Sequence, residues 1–169
     1  MNNKIDPKLN WLKNIPKRAG DLYFSLCESQ GNPINKNKFQ EYVYDAGLTS
    51  NDFRLKNFFV MLDSMGETIN FEEFINLMSL GGLLIEKALR GELSVPDFKK
   101  FSNNLDKIYD EIITNKNGEL ANYIPPLAEV DPEQFGIAVV TTDGQVYHRG
   151  DTNVDFSIQS MCKPFNYCI

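Results

Sequence analysis

The chain has 169 residues, 42% of them apolar and 24% charged, with 12 phenylalanines. That composition excludes an intrinsically disordered chain and suits one ordinary domain, or a small helical domain followed by part of another. Its 17 basic and 23 acidic residues give a net charge of -6, which leaves no broad cationic face for nucleic acid.

No stretch approaches the roughly 20 apolar residues of a membrane span, and no signal-peptide core is visible. No membrane partner is expected, and the chain reads as soluble and not secreted. Cys27, Cys162 and Cys168 show neither metal-ligand nor disulfide spacing; they read as small buried hydrophobes in a reducing compartment.

In chain order, residues 1–19 read as a flexible tail, with Lys4, Lys8, Lys13, Lys17 and Arg18 set against Asp6. Residues 20–115 read as a helical domain, wholly helical from about Asp21 to Asn115, because apolar residues recur at spacings of three and four. The clearest stripe is Phe98, Phe101, Leu105, Ile108 and Ile112. Ser94 is expected to cap that helix, with Pro96 in its first turn and the charge of Asp97 against its positive end.

Two helix-loop-helix pairs in this region resemble the EF-hand. The first runs from Leu22 through Gly31 and Ile34 to Phe39, the second from Phe58 through Gly66 and Ile69 to Phe74. A calcium loop needs oxygens at alternate positions and a closing bidentate Glu. The first pair places Cys27, Ser29, Gly31 and Lys38 where carboxylates should stand. In the second, Asp63 and Glu73 bracket a span one residue too short, and between them Ser64, Met65, Gly66 and Glu67 add one carboxylate. A paired helical scaffold with a Phe and Leu core is expected, without calcium or any other metal.

The pattern changes after Asn115. Asn115-Lys116-Asn117-Gly118 is a polar break, and Tyr123-Ile124-Pro125-Pro126 cannot continue a helix. The domain boundary is placed here, with a second domain over 116–169. Phe135–Val140 reads as a buried strand, Asp143-Gly144 as a hairpin turn and Gln145–His148 as the returning strand. Beyond Gly150-Asp151, Ser160 and Lys163 form S-x-x-K. On a helix that spacing puts both side chains on one face, so that a desolvated amine can take the proton of the hydroxyl. His148, the single histidine, reads as an exposed strand residue and not as part of a triad.

Together the pieces Tyr123-Ile124-Pro125-Pro126-Leu127-Ala128, Phe135-Gly136-Ile137-Ala138-Val139, Asp143-Gly144-Gln145, Gly150-Asp151 and Phe156-Ser157-Ile158-Gln159-Ser160-Met161-Cys162-Lys163-Pro164 resemble the opening of the glutaminase domain. That domain belongs to the serine β-lactamase-like superfamily. Asp52-Phe53-Arg54-Leu55 and Val95-Pro96-Asp97-Phe98 look like the EF-hand-like domain of animal kidney-type and liver-type glutaminases. The fold so implied is α+β: an EF-hand-like helical domain, then the start of a β-lactamase-like domain, a β-hairpin plus an S-x-x-K helix.

The resemblance makes Ser160 the acylated nucleophile, Lys163 its base, Tyr123 an active-site tyrosine and Gln159 a contact for the amino-acid end of the substrate. It implies hydrolysis of L-glutamine to L-glutamate and ammonia without a cofactor, a homo-oligomer that is a tetramer in the family, and a mitochondrial or else cytoplasmic location. The N-H of Ser160 is expected to serve as an oxyanion donor. The family's remaining substrate contacts lie downstream of Ile169, so a fragment, a shortened gene product or a short isoform is expected. On that reading the chain alone is inactive, with a solvated Lys163 and a disordered second domain.

Two other functions compete: a non-catalytic helical interaction module, and a different acylating S-x-x-K enzyme such as a peptidase, which the surroundings of Tyr123 and Ser160 disfavour. The loop chemistry makes a direct prediction. Calorimetric titration with calcium should show no stoichiometric micromolar binding, and calcium should leave the unfolding temperature unchanged.

Overall fold

The computed structural model describes residues 19–27 and 33–168. Residues 1–18 of the expected tail, and Ser29 and Gly31 of the first helix-loop-helix pair, lie outside the described residues. The elements are α1 (19–26), β1 (Ile34–Asn35), α2 (Lys36–Asp45), α3 (Lys56–Ser64), β2 (Thr68–Ile69), α4 (Phe71–Arg90) and α5 (Phe98–Ile112). A 3-10 turn at Pro125–Leu127 follows, then β3 (Gly136–Val140), β4 (Val146–Gly150), a second 3-10 turn at Gln159–Cys162 and α6 (Lys163–Tyr167). The architecture is α+β, with two separate two-stranded sheets, β1 with β2 and β3 with β4.

Two compact units are present. One holds the described residues through Asn103 together with Val139–Val146; the other holds Asn104–Ala138 and the described residues from Tyr147 on. This division runs through α5 and the hairpin, whereas the change of sequence pattern falls at residues 115–116.

The first unit is built on aromatic burial. Phe39, Phe58 and Phe74 are each at most 2% exposed, and Phe39 meets Phe58 and Phe74 at ring-centroid distances of 6.3 and 5.9 Å. Burying a side chain of that size stabilises the fold by about 1.5–3 kcal/mol. Two helices, α2 and α4, begin at asparagine caps. The Asn35 side chain accepts the N-H of Lys38 at the start of α2, and Asn70 and Glu73 form a reciprocal capping box at the start of α4. Glu73, one bracket of the considered calcium span, therefore spends its carboxylate on the N-H of Asn70 at 2.8 Å.

Several expectations are corrected. The region before Asn115 is not wholly helical, since β1 and β2 pair antiparallel with Ile34 opposite Ile69 and Asn35 opposite Thr68. Two-residue strands are too short to leave a periodic signal. Ala19, assigned to the tail, is helical and buried. Asp97, not Ser94, caps α5: its carboxylate accepts the N-H of Lys100 at 3.0 Å, and helical residues begin at Phe98, beyond the reach of Ser94. Along α5 the stripe drifts, with Phe98 and Tyr109 buried and Ile108 and Ile112 exposed.

The segment Phe135–Val140 is not a buried strand, because β3 alternates half-buried and exposed residues. Cys27 and Cys162 are half-buried and Cys168 is exposed, so the reading as buried hydrophobes does not hold for them. Among the described residues no helix is long and apolar enough to cross a membrane.

Residues 141–146 are fixed to the first unit by one buried amide. The Gln145 side chain is fully buried. Its Nε2 donates to the carbonyls of Ala46 and Val95 at 2.9 and 2.8 Å, and its Oε1 accepts the N-H of Val95 at 3.0 Å. Beside it the Asp143 carboxylate accepts both the N-H and the hydroxyl of Ser94 at 2.8 Å and pairs with Lys87 at 3.4 Å. The Ser94 hydroxyl hydrogen bond is the main cause that holds Asp143 below the usual carboxylate range. Arg54 donates to the carbonyl of Asp143 at 2.6 Å while it pairs with Asp52, whose carboxyl Arg54 likewise depresses.

Gln145→Met keeps the volume but strands three backbone groups, and should destabilise the protein by about 2–3 kcal/mol in urea unfolding. Asp143 and Asp52 have lowered folded-state values, so their stabilisation is complete above the unfolded carboxylate value of about 3.9 and is lost as pH falls through the lower folded values. Asp143→Asn should therefore shrink the loss of stability below about pH 4, measured as urea midpoint against pH.

Candidate active site

The residues singled out for chemistry lie on two short 3-10 turns of the second unit. Pro125 and Pro126 lack N-H groups and preset φ, which suits them to the first turn, where Leu127 is buried. Tyr123 stands just before this turn. Its phenol donates to Oε1 of Gln159, the first residue of the second turn.

Gln159 has φ +43° and is the non-glycine residue with positive φ among the described residues. That conformation costs a side-chain-bearing residue about 1–2 kcal/mol. It lies immediately before Ser160.

Ser160 and Lys163 do not lie together on one α-helix, as the spacing suggested. Ser160 is on the 3-10 turn and Lys163 is the first residue of α6, with the Lys163 N-H bonded to the Ser160 carbonyl. The proline after Lys163 accounts for the break, because its missing N-H and fixed φ favour a helix start at that point. The backbone bond joins the two residues across the junction of the turn and α6. Both are exposed, and no hydrogen bond links hydroxyl to amine in this structure. Tyr123 is 69% exposed. In the same segment Phe156, Met161 and Phe165 are all at least 60% exposed.

The unit carries its own support for the returning strand, which sequence reasoning missed. Arg149 on β4 pairs with Asp106 at 3.0 Å and Asp110 at 2.6 Å, and its guanidinium lies 4.5 Å from the centre of the Tyr109 ring. The Tyr147 phenol donates to Asp106 at 2.9 Å; burial first, then Asp106, pushes that phenol above its usual range. Tyr109 also stacks on Phe135 at 5.2 Å. Asp106, Tyr109 and Asp110, three and four apart on one helix face, were the available signal.

Gly150, of the Gly150-Asp151 pair, has φ +77°, and a Cβ there would come within 2.3 Å of the Phe135 carbonyl; the Asp151 carboxylate accepts the N-H of Phe135 at 3.0 Å. His148 is exposed on β4, as expected. A cavity of about 270 Å³ in this unit is lined by Ile112, Lys116, Leu120, Glu133 and Phe135 among others, and contains none of Tyr123, Gln159, Ser160 or Lys163. Among the described residues no group of three His, Cys, Asp or Glu side chains is placed to hold a metal.

Comparison with known proteins falls on the same segment, where residues 118–169 match the sequence profile of the family described as glutaminase. These residues belong to the glutaminase family. The mouse and rat liver-isoform mitochondrial glutaminases are each 32% identical over 162 residues, covering 92% of this chain and 27% of theirs. The glutaminase of Rhizobium etli (strain CIAT 652) is 55% identical over 62 residues, covering 36% of this chain and 20% of its own. The chain thus spans about a quarter of the length of the animal glutaminases it matches, and the animal match extends well beyond the family segment into the helical half.

The left-handed backbone at Gln159 gives a test of the turn. At a helical position Ala is more stable than Gly by about 1 kcal/mol. Here Gln159→Gly should be more stable than Gln159→Ala by about 1 kcal/mol, because only the alanine retains the strain. Denaturant midpoints of the two variants decide the order.

Proposed function

We propose that the chain carries the nucleophile segment of a glutaminase, which hydrolyses L-glutamine to L-glutamate and ammonia without a cofactor. The observation that supports this reading is the sequence Ser160-Met161-Cys162-Lys163 at the junction of the second 3-10 turn and α6, next to a strained Gln159 held by Tyr123, inside the family segment. Residues 20–115, with helices α1–α5 and the β1–β2 bridge, are read as the EF-hand-like domain, and the segment from residue 116 as the start of the β-lactamase-like domain.

In the proposed reaction Lys163 takes the proton from the Ser160 hydroxyl as Oγ attacks the side-chain carboxamide carbon of glutamine. The tetrahedral intermediate collapses as the Lys163 ammonium returns that proton to the leaving nitrogen, releasing ammonia and leaving a glutamyl ester on Ser160. Water, deprotonated by Lys163, then attacks the ester carbonyl, and the Lys163 ammonium returns that proton to the departing Ser160 Oγ as glutamate is freed. Tyr123 and Gln159 orient the amino-acid end of the substrate so that its carboxamide lies near 3 Å from Oγ.

A lysine acts as base only where desolvation favours its neutral form. The exposed Phe156, Met161 and Phe165 are the surface on which the family sequence outside the match packs; in the Rhizobium relative the matching segment is one fifth of the protein. Homo-oligomerisation and the mitochondrial location named for the liver isoforms are carried over as part of this proposal.

The test is a chimera in which the 62-residue matching segment of this chain replaces its counterpart in the Rhizobium glutaminase. The chimera should release ammonia from glutamine. Ser160→Ala and Lys163→Met within it should each lower kcat by at least about 1000-fold while circular dichroism stays unchanged. A folded Ser160→Ala chimera that retains turnover removes Ser160 from the nucleophile role.

A further inference from the structure

The loop between α3 and β2 is held by a residue that neither composition nor motif singled out. Lys36 is the first residue of α2. Its ammonium donates to the carbonyl oxygens of Asp63 and Met65 at 3.0 and 2.9 Å, and its backbone N-H donates to the carbonyl of Glu67 at 2.9 Å. The ammonium therefore gathers the two carbonyls at 63 and 65, while the backbone N-H of the same residue takes the third, at 67. Alternate spacing of oxygens is how a loop wraps a cation.

The last carbonyls of α3 lack intrahelical partners and carry the negative end of the helix dipole, and α3 has no basic residue in its own last turn. The positive charge arrives from the neighbouring helix. Gln40, four residues on from Lys36, points its amide toward the Asp63 carboxylate at 3.4 Å.

We propose that the Lys36 ammonium is a tethered cation that occupies the inorganic ion's place in this loop, so that the helix-loop-helix pair is closed permanently and without metal. The chemistry suits it: an ammonium is a compact point charge with three donors and no acceptor, and neutral carbonyls match a monovalent cation better than a divalent one. The proposal stands apart from the catalytic reading, because every residue in it belongs to the helical unit and none touches Ser160.

The test uses the full chain. Lys36→Met keeps the methylenes and removes the charge; its unfolding temperature should fall by about 4–8 °C, with amide exchange at 65–69 faster by at least about tenfold and little change in α5. Methylammonium, which can donate into the vacated carbonyls, should restore part of the loss in Lys36→Met at concentrations where tetramethylammonium, which cannot donate, does not; the unaltered protein should respond to neither.

A second measurement needs no variant: in the folded protein, acetic anhydride should modify Lys36 at least about tenfold more slowly than the exposed Lys107, as a protected opening equilibrium requires. The proposal is overturned if Lys36→Met matches the parent in stability and loop exchange, if methylammonium and tetramethylammonium act alike, or if Lys36 is modified as fast as Lys107.

Discussion

A buried carboxamide must find partners for its oxygen and its N-H groups or lose several kcal/mol, and at Gln145 that requirement organises the chain. Its amide takes up backbone groups at Ala46 and Val95, two loops of the helical unit that share no secondary structure. Because those partners belong to the polypeptide backbone, no side-chain change at Ala46 or Val95 removes them. The residues at the hairpin tip, though part of the family segment, are thereby counted with the helices. The cluster of Asp143, Ser94, Lys87 and Arg54 adds charge-assisted bonds around the same point, where Asp143 is ionised and accepts only.

The family segment distributes stability unevenly. Its hairpin is anchored by hydrogen bonds and ion pairs, while the stretch from Phe156 to Tyr167 exposes aromatic and aliphatic side chains and spends backbone energy at Gln159. Strain persists where surrounding contacts over-determine it, and here the Tyr123 phenol supplies one such contact. Exposed apolar residues thus share a segment with the two residues proposed for proton transfer.

Much of this was legible in the sequence. The hairpin, its turn, the helix over Phe98–Ile112 and the α+β class follow from spacing and turn chemistry. What escaped was set by contacts between residues far apart in the chain. Ser94 looked like a cap because it precedes a helix, yet Asp143, 49 residues later, claims its hydroxyl. Lys36 carried no local signal at all, since its carbonyl partners lie 27 and 29 residues away. The S-x-x-K pair was found, but its helix type was missed because Pro164 was read as part of a motif and not as a helix-start residue.

One further consequence concerns counting along the hairpin. Gln145, directly before β4, and Tyr147 and Arg149 on it alternate with Val146, His148 and Gly150, and successive residues of extended chain point to opposite sides. The first set carries every side-chain hydrogen bond described for this strand, to Val95 and Ala46, to Asp106 and to Asp110. The strand therefore has a parity. Insertion or loss of a single residue between Gln145 and Arg149 would exchange the two sets downstream of the change and bring His148 into the place of a donor to the α5 carboxylates, whereas a change of two residues would preserve it. Length variation among relatives in this short stretch should accordingly come in even steps.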